Sequence, residues 1–91
     1  MMNTYIISYD LINPGQNYEN LLKKIRSFSS WARLGGSAYI VETEETATQV
    51  RDKLTSFLDN NDKLFVGTVQ APAAWIELGD EVSQWISSHL R

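Results

Sequence analysis

The segment at residues 4–10, TYIISYD, constrains the fold most, because it places apolar and aromatic side chains on both faces of a strand. A strand of this kind suits a position with a neighbour on each side, so the segment predicts a central strand of a sheet. The apolar run stops at Asp10, and the following LINPGQN carries no charge and contains a Pro-Gly pair typical of a turn. Asp10 is therefore expected where a central strand meets a loop.

Apolar residues at helical spacing predict two amphipathic helices that pack on this sheet. The first follows the Pro-Gly turn, with Gln16 or Asn17 at its start. The second has Thr43 as its predicted N-cap, before a negatively charged first turn. The apolar stripes are Tyr18, Leu21, Leu22, Ile25 and Phe28 in the first helix and Ala47, Val50, Leu54, Phe57 and Leu58 in the second.

Three further strands and a C-terminal helix complete the predicted order. The strands are expected at residues 31–34, 37–42 and 63–70, and the helix from about Asp80. This order is typical of an α+β fold of the ferredoxin-like βαββαβ type, an antiparallel sheet with two helices on one face, here with an extra C-terminal helix. We expect all 91 residues to form one domain, with its core at residues 3–70 and a C-terminal loop and helix at residues 71–91.

The composition limits the functional classes to which this chain can belong. Eight Lys and Arg against 11 Asp and Glu give a net charge of -3, which counts against non-specific binding to nucleic acid. The chain has no cysteine, so it has no disulfide, no thiolate nucleophile and no Cys-type zinc site. Without a signal-peptide pattern or an apolar run of roughly 20 residues, we expect a cytoplasmic protein with no membrane partner. Four basic residues could form a modest patch around the first helix, although such a run is usually just a solvated helix face: Lys23, Lys24, Arg26 and Arg33.

The predicted strand order brings polar side chains together at one edge of the sheet. Because the first strand lies between the third and fourth, Asp10 is expected near Ser37 on one side and near Asn61 and Asp62 on the other. Such oxygen ligands suit Mg²⁺ or Mn²⁺, which usually need only one or two carboxylates plus water. Asp10 and Asp62 are therefore candidate metal ligands, with Ser37 and Asn61 in support. The alternative is ordinary turn chemistry, in which Asp and Asn side chains bond to turn backbone.

The strands carry apolar side chains on both faces, although two helices cover only one face of such a sheet. The second face is expected to be covered by the C-terminal segment, through Trp75 and Trp85, or by a second copy of the chain in a two-fold homodimer. His89, near the end of the last helix, is expected to be solvated there and not to act as a general base or ligand.

The stretches YIISYDL and WARLGGSAYIVET, each followed by an amphipathic helix, resemble the Cas-two family of small CRISPR-associated proteins over about residues 3–70. The chain is also similar to short uncharacterised bacterial proteins labelled SinR-like, which share YxISYDL, PGQxY and RDKL, and this likeness implies no chemistry. The Cas-two resemblance implies a ferredoxin-like homodimer, a plan shared by VapD-like ribonuclease toxins. It further implies that Asp10 is catalytic, helping to hold a divalent metal for phosphodiester cleavage in RNA or DNA. Ser37 is the second residue with a counterpart in the family's motifs.

Two departures from the family pattern leave a second function open. The loop LINPGQN lacks the basic residue that usually follows the aspartate, and a tail ending in a helix replaces the strand that crosses to the partner subunit. The sequence therefore supports two hypotheses. One is a dimeric metal-dependent nuclease in which Asp10 of each subunit binds the metal that activates water. The other is a non-catalytic interaction or regulatory module that keeps the dimeric scaffold.

Overall fold

The computed structural model describes residues 2–12 and 18–90 as an α+β fold with a four-stranded antiparallel sheet and three helices. The strands are β1 (Asn3–Asp10), β2 (Ser30–Gly35), β3 (Ala38–Thr43) and β4 (Lys63–Thr68). The helices are α1 (Glu19–Ile25), α2 (Ala47–Thr55) and α3 (Gly79–His89). None of the described helices is both long enough and apolar enough to cross a membrane.

The strands lie in the order β2-β3-β1-β4, and each neighbouring pair is antiparallel. In β1, Ile7 lies opposite Tyr39 of β3 on one side and opposite Val66 of β4 on the other. Strand β1 therefore has a neighbour on each side, which confirms the prediction from its two-sided apolar pattern. Because directly opposed residues share a face of the sheet, this register assigns every β1 side chain to one face or the other.

Helices α1 and α2 pack on the face that carries Tyr5 and Ile7, which we call the helix face. By register the same face carries Val41 and Tyr39 of β3. Each of the two helices adds two side chains with no exposed surface to the core. The buried core cluster consists of Tyr5, Ile7, Leu21, Ile25, Tyr39, Val41, Val50 and Leu54. Burial of this apolar surface holds both helices against the sheet.

Helix α3 packs on the opposite face, over β2. Its Ile86 is buried, and so are Ala32 and Ile40, which are cross-strand partners on that face. The indole Nε1 of Trp85 donates a hydrogen bond of 2.8 Å to Ser30 Oγ in β2. The C-terminal segment thus covers the β2 side of this face, as the sequence predicts for Trp85. Trp75, the other residue predicted to provide this cover, is 40% exposed, and its indole Nε1 donates a hydrogen bond of 3.0 Å to Ser83 Oγ in α3.

The helix boundaries differ from the prediction at several residues. Thr43 is not an N-cap, because β3 extends to it and buries its side chain. The cap of α2 is Thr46, which forms a capping box with Gln49. Phe28, Phe57 and Leu58 follow the helices rather than lying in them, although all three pack against the core. The predicted start of the first helix, at Gln16 or Asn17, lies outside the described residues.

Candidate functional site

The end of β1 lies beside the two turns that the strand order predicts. Asp10 is the cross-strand partner of Lys63, the first residue of β4 and the one after Asp62. On the other side, Tyr9 N donates a hydrogen bond of 3.0 Å to Ser37 O, in the turn between β2 and β3. Asp10 is therefore close in the fold to the segments that carry Ser37 and Asp62, and its own side chain is exposed.

Asp62 connects three separate segments of the chain. Its Oδ1 accepts a hydrogen bond of 2.9 Å from Ile12 N, after β1. Its Oδ2 accepts one of 2.8 Å from Asp59 N and one of 2.9 Å from the Tyr18 hydroxyl, just before α1. Burial raises the pKa of Asp62, but the three hydrogen bonds outweigh this and hold the pKa below its ordinary value. These bonds give Asp62 a structural role in joining the ends of β1, α1 and β4.

Ser37 and Asn61 both have positive φ angles, of 63° and 74°. Ser37 follows Gly35 and Gly36, so the β2–β3 turn contains three consecutive residues with positive φ. Asn tolerates this left-handed conformation better than most residues do, because its short side-chain amide can form a hydrogen bond with nearby groups. Turn geometry is thus sufficient to account for the presence of Asn at position 61. Ser37 contacts the end of β1 through its backbone carbonyl, which accepts the hydrogen bond from Tyr9 N.

Asp10 is the carboxylate at this edge that keeps its oxygens available. Among residues 2–12 and 18–90 it makes no ion pair, whereas Asp62 accepts three hydrogen bonds. The described residues contain no group of three or more His, Asp or Glu side chains placed to hold a metal ion. Among the described residues of one chain, this edge therefore offers Mg²⁺ or Mn²⁺ a single uncommitted carboxylate, and a second would come from another molecule.

An apolar surface begins next to Asp10, on the face opposite the helix face. This surface consists of the cross-strand pairs Ser8–Phe65 and Ile6–Gly67. It lies on β1 and β4, whereas α3 contacts the same face of the sheet at β2. We call these four residues the open face. Phe65 is 62% exposed, and its ring lies against the backbone of Gly67, where an added Cβ would be 2.6 Å from the ring. Glycine at this position lets a large aromatic side chain lie flat on the strand.

A second polar cluster, at the β2 end of the helix face, was not predicted as a site. Arg26 donates hydrogen bonds of 2.8 Å and 3.2 Å from Nη2 and Nε to the hydroxyl of Tyr39. Its guanidinium carbon lies 5.6 Å from the centroid of the Trp31 ring. The sequence signal for this cluster is the alternation of Trp31 and Arg33 in β2, which places both side chains on the face that carries Tyr39.

His89 is more constrained than predicted. Its ring stacks on Trp85 with centroids 3.9 Å apart and an interplanar angle of 9°. Its Nδ1 lies 2.7 Å from Trp85 O, one helical turn earlier. His89 is the last residue of α3, as expected, but its ring is half-buried rather than fully solvated because it stacks on Trp85.

Comparisons of the chain with models of protein families, with curated proteins and with solved structures found no match. Function is therefore inferred from the residues of this chain and their arrangement.

Proposed function

We propose that this chain is a non-catalytic interaction module with a ferredoxin-like sheet, which forms a homodimer through its open face. The single observation that carries the proposal is Phe65, a large aromatic side chain that is 62% exposed on a sheet face. Aromatic residues on an otherwise packed sheet are enriched in protein interfaces, where a partner buries them. The position of β1 between β3 and β4, with α1 and α2 on one face, supports the ferredoxin-like assignment.

The charges around the open face suit a second copy of the same chain. Asp10 and Lys63 are cross-strand partners on the same side of the sheet, next to the Ser8–Phe65 pair of the open face. In a two-fold interface the same patch meets itself, so a patch with one acid and one base can be self-complementary. Asp10 of one subunit would then face Lys63 of the partner while the two Phe65 rings pack between them. A cytoplasmic location, expected from the sequence, remains part of this proposal.

The second candidate function is the metal-dependent nuclease implied by the Cas-two resemblance. The observation that favours it is the exposed Asp10, which makes no ion pair among the described residues and lies at the end of the open face. A two-fold axis near this end would bring together Asp10 of both subunits, the two carboxylates that Mg²⁺ or Mn²⁺ commonly uses. A metal held there would activate water and offset the charge of the phosphodiester of RNA or DNA. The uncharged loop after Asp10 and the acidic chain count against this candidate.

One pair of measurements separates the two candidates. The purified protein is incubated with Mg²⁺ or Mn²⁺ and labelled single- and double-stranded RNA and DNA, beside Asp10→Asn and the matched control Asp52→Asn. Asp52 is an exposed carboxylate on α2, paired with Arg51 at 2.9 Å. The interaction module predicts no cleavage by any of the three proteins, and a dimer by light scattering for the wild type and Asp52→Asn. Cleavage by the wild type and Asp52→Asn but not by Asp10→Asn would establish the nuclease instead.

A further inference from the structure

The polar cluster at the β2 end of the helix face has the composition of a site for a phosphate-bearing ligand. Arg33 and Trp31 are alternate residues of β2, so they lie on the same face as their cross-strand partners Tyr39 and Val41. Tyr9 belongs to this face as well, since it is two residues beyond Ile7 in β1. Aromatic rings and guanidinium groups therefore meet at one end of the sheet, below the last turn of α1.

Arg26, which follows α1, is held in a defined position there. Two of its N–H groups point at the hydroxyl of Tyr39, a residue that is only 1% exposed, and its guanidinium lies over the Trp31 ring. A guanidinium has five N–H donors, so three remain for a ligand. Because Arg26 itself is exposed, these donors are accessible from solvent. Fixing the side chain in advance reduces the entropy that binding would otherwise cost.

Arg33 supplies a second positive charge, and Glu81 lines the same cavity without being paired to it among the described residues. Within the described part of the chain, neither Arg26 nor Arg33 forms an ion pair. Both act on Tyr9: burial and the nearby Tyr39 raise the pKa of Tyr9, and the charges of Arg33 and Arg26 act in the opposite direction. The two guanidinium groups and the Tyr9 hydroxyl thus lie within electrostatic reach of one another in a chain whose net charge is negative.

A cavity adjoins this cluster along the exposed edge of β2. Its volume is about 410 Å³, and it is lined by Trp31, Ala32, Arg33, Glu81, Val82 and Trp85. This volume lies within the range of small-molecule sites. Trp31 and Trp85 give the cavity flat apolar walls, while Arg33 connects it to the arginine cluster.

We propose that Arg26, Arg33 and Tyr9 bind the phosphate of a nucleoside monophosphate whose base packs beside Trp31 in this cavity. Two guanidinium groups match the double charge of a phosphate monoester and can donate paired hydrogen bonds to its oxygens. Aromatic walls next to a phosphate site favour a ligand that carries a planar ring, since stacking on an aromatic side chain tolerates any base. This site lies around the β2 edge of the sheet, whereas the open face lies on β1 and β4, so the site is separate from the open face and does not depend on the homodimer.

Isothermal titration calorimetry with adenosine 5′-monophosphate, inorganic phosphate and adenosine tests the proposal on the full chain. We expect saturable binding of the monophosphate with Kd on the order of 0.1 mM, a modest ligand efficiency for its size. Arg33→Ala should weaken this binding by about tenfold or more, because a charge-assisted contact is lost. The matched control is Arg51→Ala, the same charge change at the opposite edge of the sheet, where Arg51 lies beside Leu64 and Val66. It should leave the affinity unchanged.

Trp31→Leu separates the nucleoside part of the site from the phosphate part. It should reduce the affinity for the monophosphate to that for inorganic phosphate. Circular dichroism confirms that each variant is folded, and Arg33→Gln replaces Arg33→Ala if the alanine variant is not. No saturable heat with the monophosphate at 10 times the expected Kd, or equal weakening by Arg51→Ala, would overturn the proposal. Equal affinity of the wild type for inorganic phosphate and the monophosphate would overturn the nucleotide assignment.

Discussion

Replacing Tyr39 with phenylalanine removes one hydroxyl and keeps the ring that fills the core. That hydroxyl accepts hydrogen bonds of 2.8 Å and 3.2 Å from the Arg26 guanidinium, and Tyr39 is 1% exposed. Hydrogen bonds to a charged group contribute about 1.5–3 kcal/mol. Because the exposed Arg26 can regain water, we expect a cost at or just below the lower limit of that range, about 1–1.5 kcal/mol. In a domain of this size that corresponds to a decrease in Tm of about 4–12 °C.

A double-mutant cycle assigns this cost to the Arg26–Tyr39 pair. Urea unfolding of the wild type, Tyr39→Phe, Arg26→Met and the double variant gives a coupling free energy, which we expect to be about 1 kcal/mol. Methionine keeps the apolar stem of Arg26 over Trp31 without its charge. A coupling below about 0.3 kcal/mol would refute the claim that Tyr39 holds Arg26 in place, since independent sites already add within that range.

Three further predictions concern the turns and the second helix. Asp62→Asn should lower the Tm at pH 7, because the lowered pKa of Asp62 means that its carboxylate form stabilises the fold. The difference in Tm between the variant and the wild type should shrink as the pH falls below about 4, and a constant difference from pH 7 to 2.5 would contradict this. Asn61→Gly should be neutral or stabilising, and Asn61→Val should cost about 1–2 kcal/mol in urea unfolding, because φ at this residue is 74°; equal effects would contradict the turn assignment. Thr46→Ala should cost about 1 kcal/mol through loss of the capping box, whereas Thr48→Ala, on the exposed side of the same helix, should be nearly neutral.

The elements that the sequence predicts best are those with local, repeated patterns. The apolar run of residues 4–9 places β1 in the centre of the sheet, and the stripe through Val50 and Leu54 locates α2, because burial requires those periodicities. The predicted N-cap of α2 was wrong by three residues. Thr43 and Thr46 can both precede a helix in this sequence, and only the extent of β3 distinguishes them.

The role of Asp62 could not be predicted from its neighbours in the chain. Its partners Ile12 and Tyr18 are 50 and 44 residues away in sequence. The local sequence shows only an acidic residue in a turn. The hydrogen bonds that its carboxylate accepts depend on the complete fold. The same limit applies to Arg26, whose partner Tyr39 lies across a strand and a turn. Sequence patterns identified the position of Asp10 at the strand end, but not which of the nearby carboxylates is already occupied.

The most direct test of the proposed interaction module is the molar mass of the protein and of Phe65→Ser, measured by light scattering coupled to size-exclusion chromatography over a range of concentrations. Ile76→Ser is the matched control, since Ile76 is 83% exposed on the loop before α3, away from β1 and β4 in the chain. The proposal predicts a dimer for the wild type and Ile76→Ser, and a shift towards monomer for Phe65→Ser at the same concentration. A monomeric wild type at about 100 μM, far above the Kd of a specific interface of standard size, would contradict it.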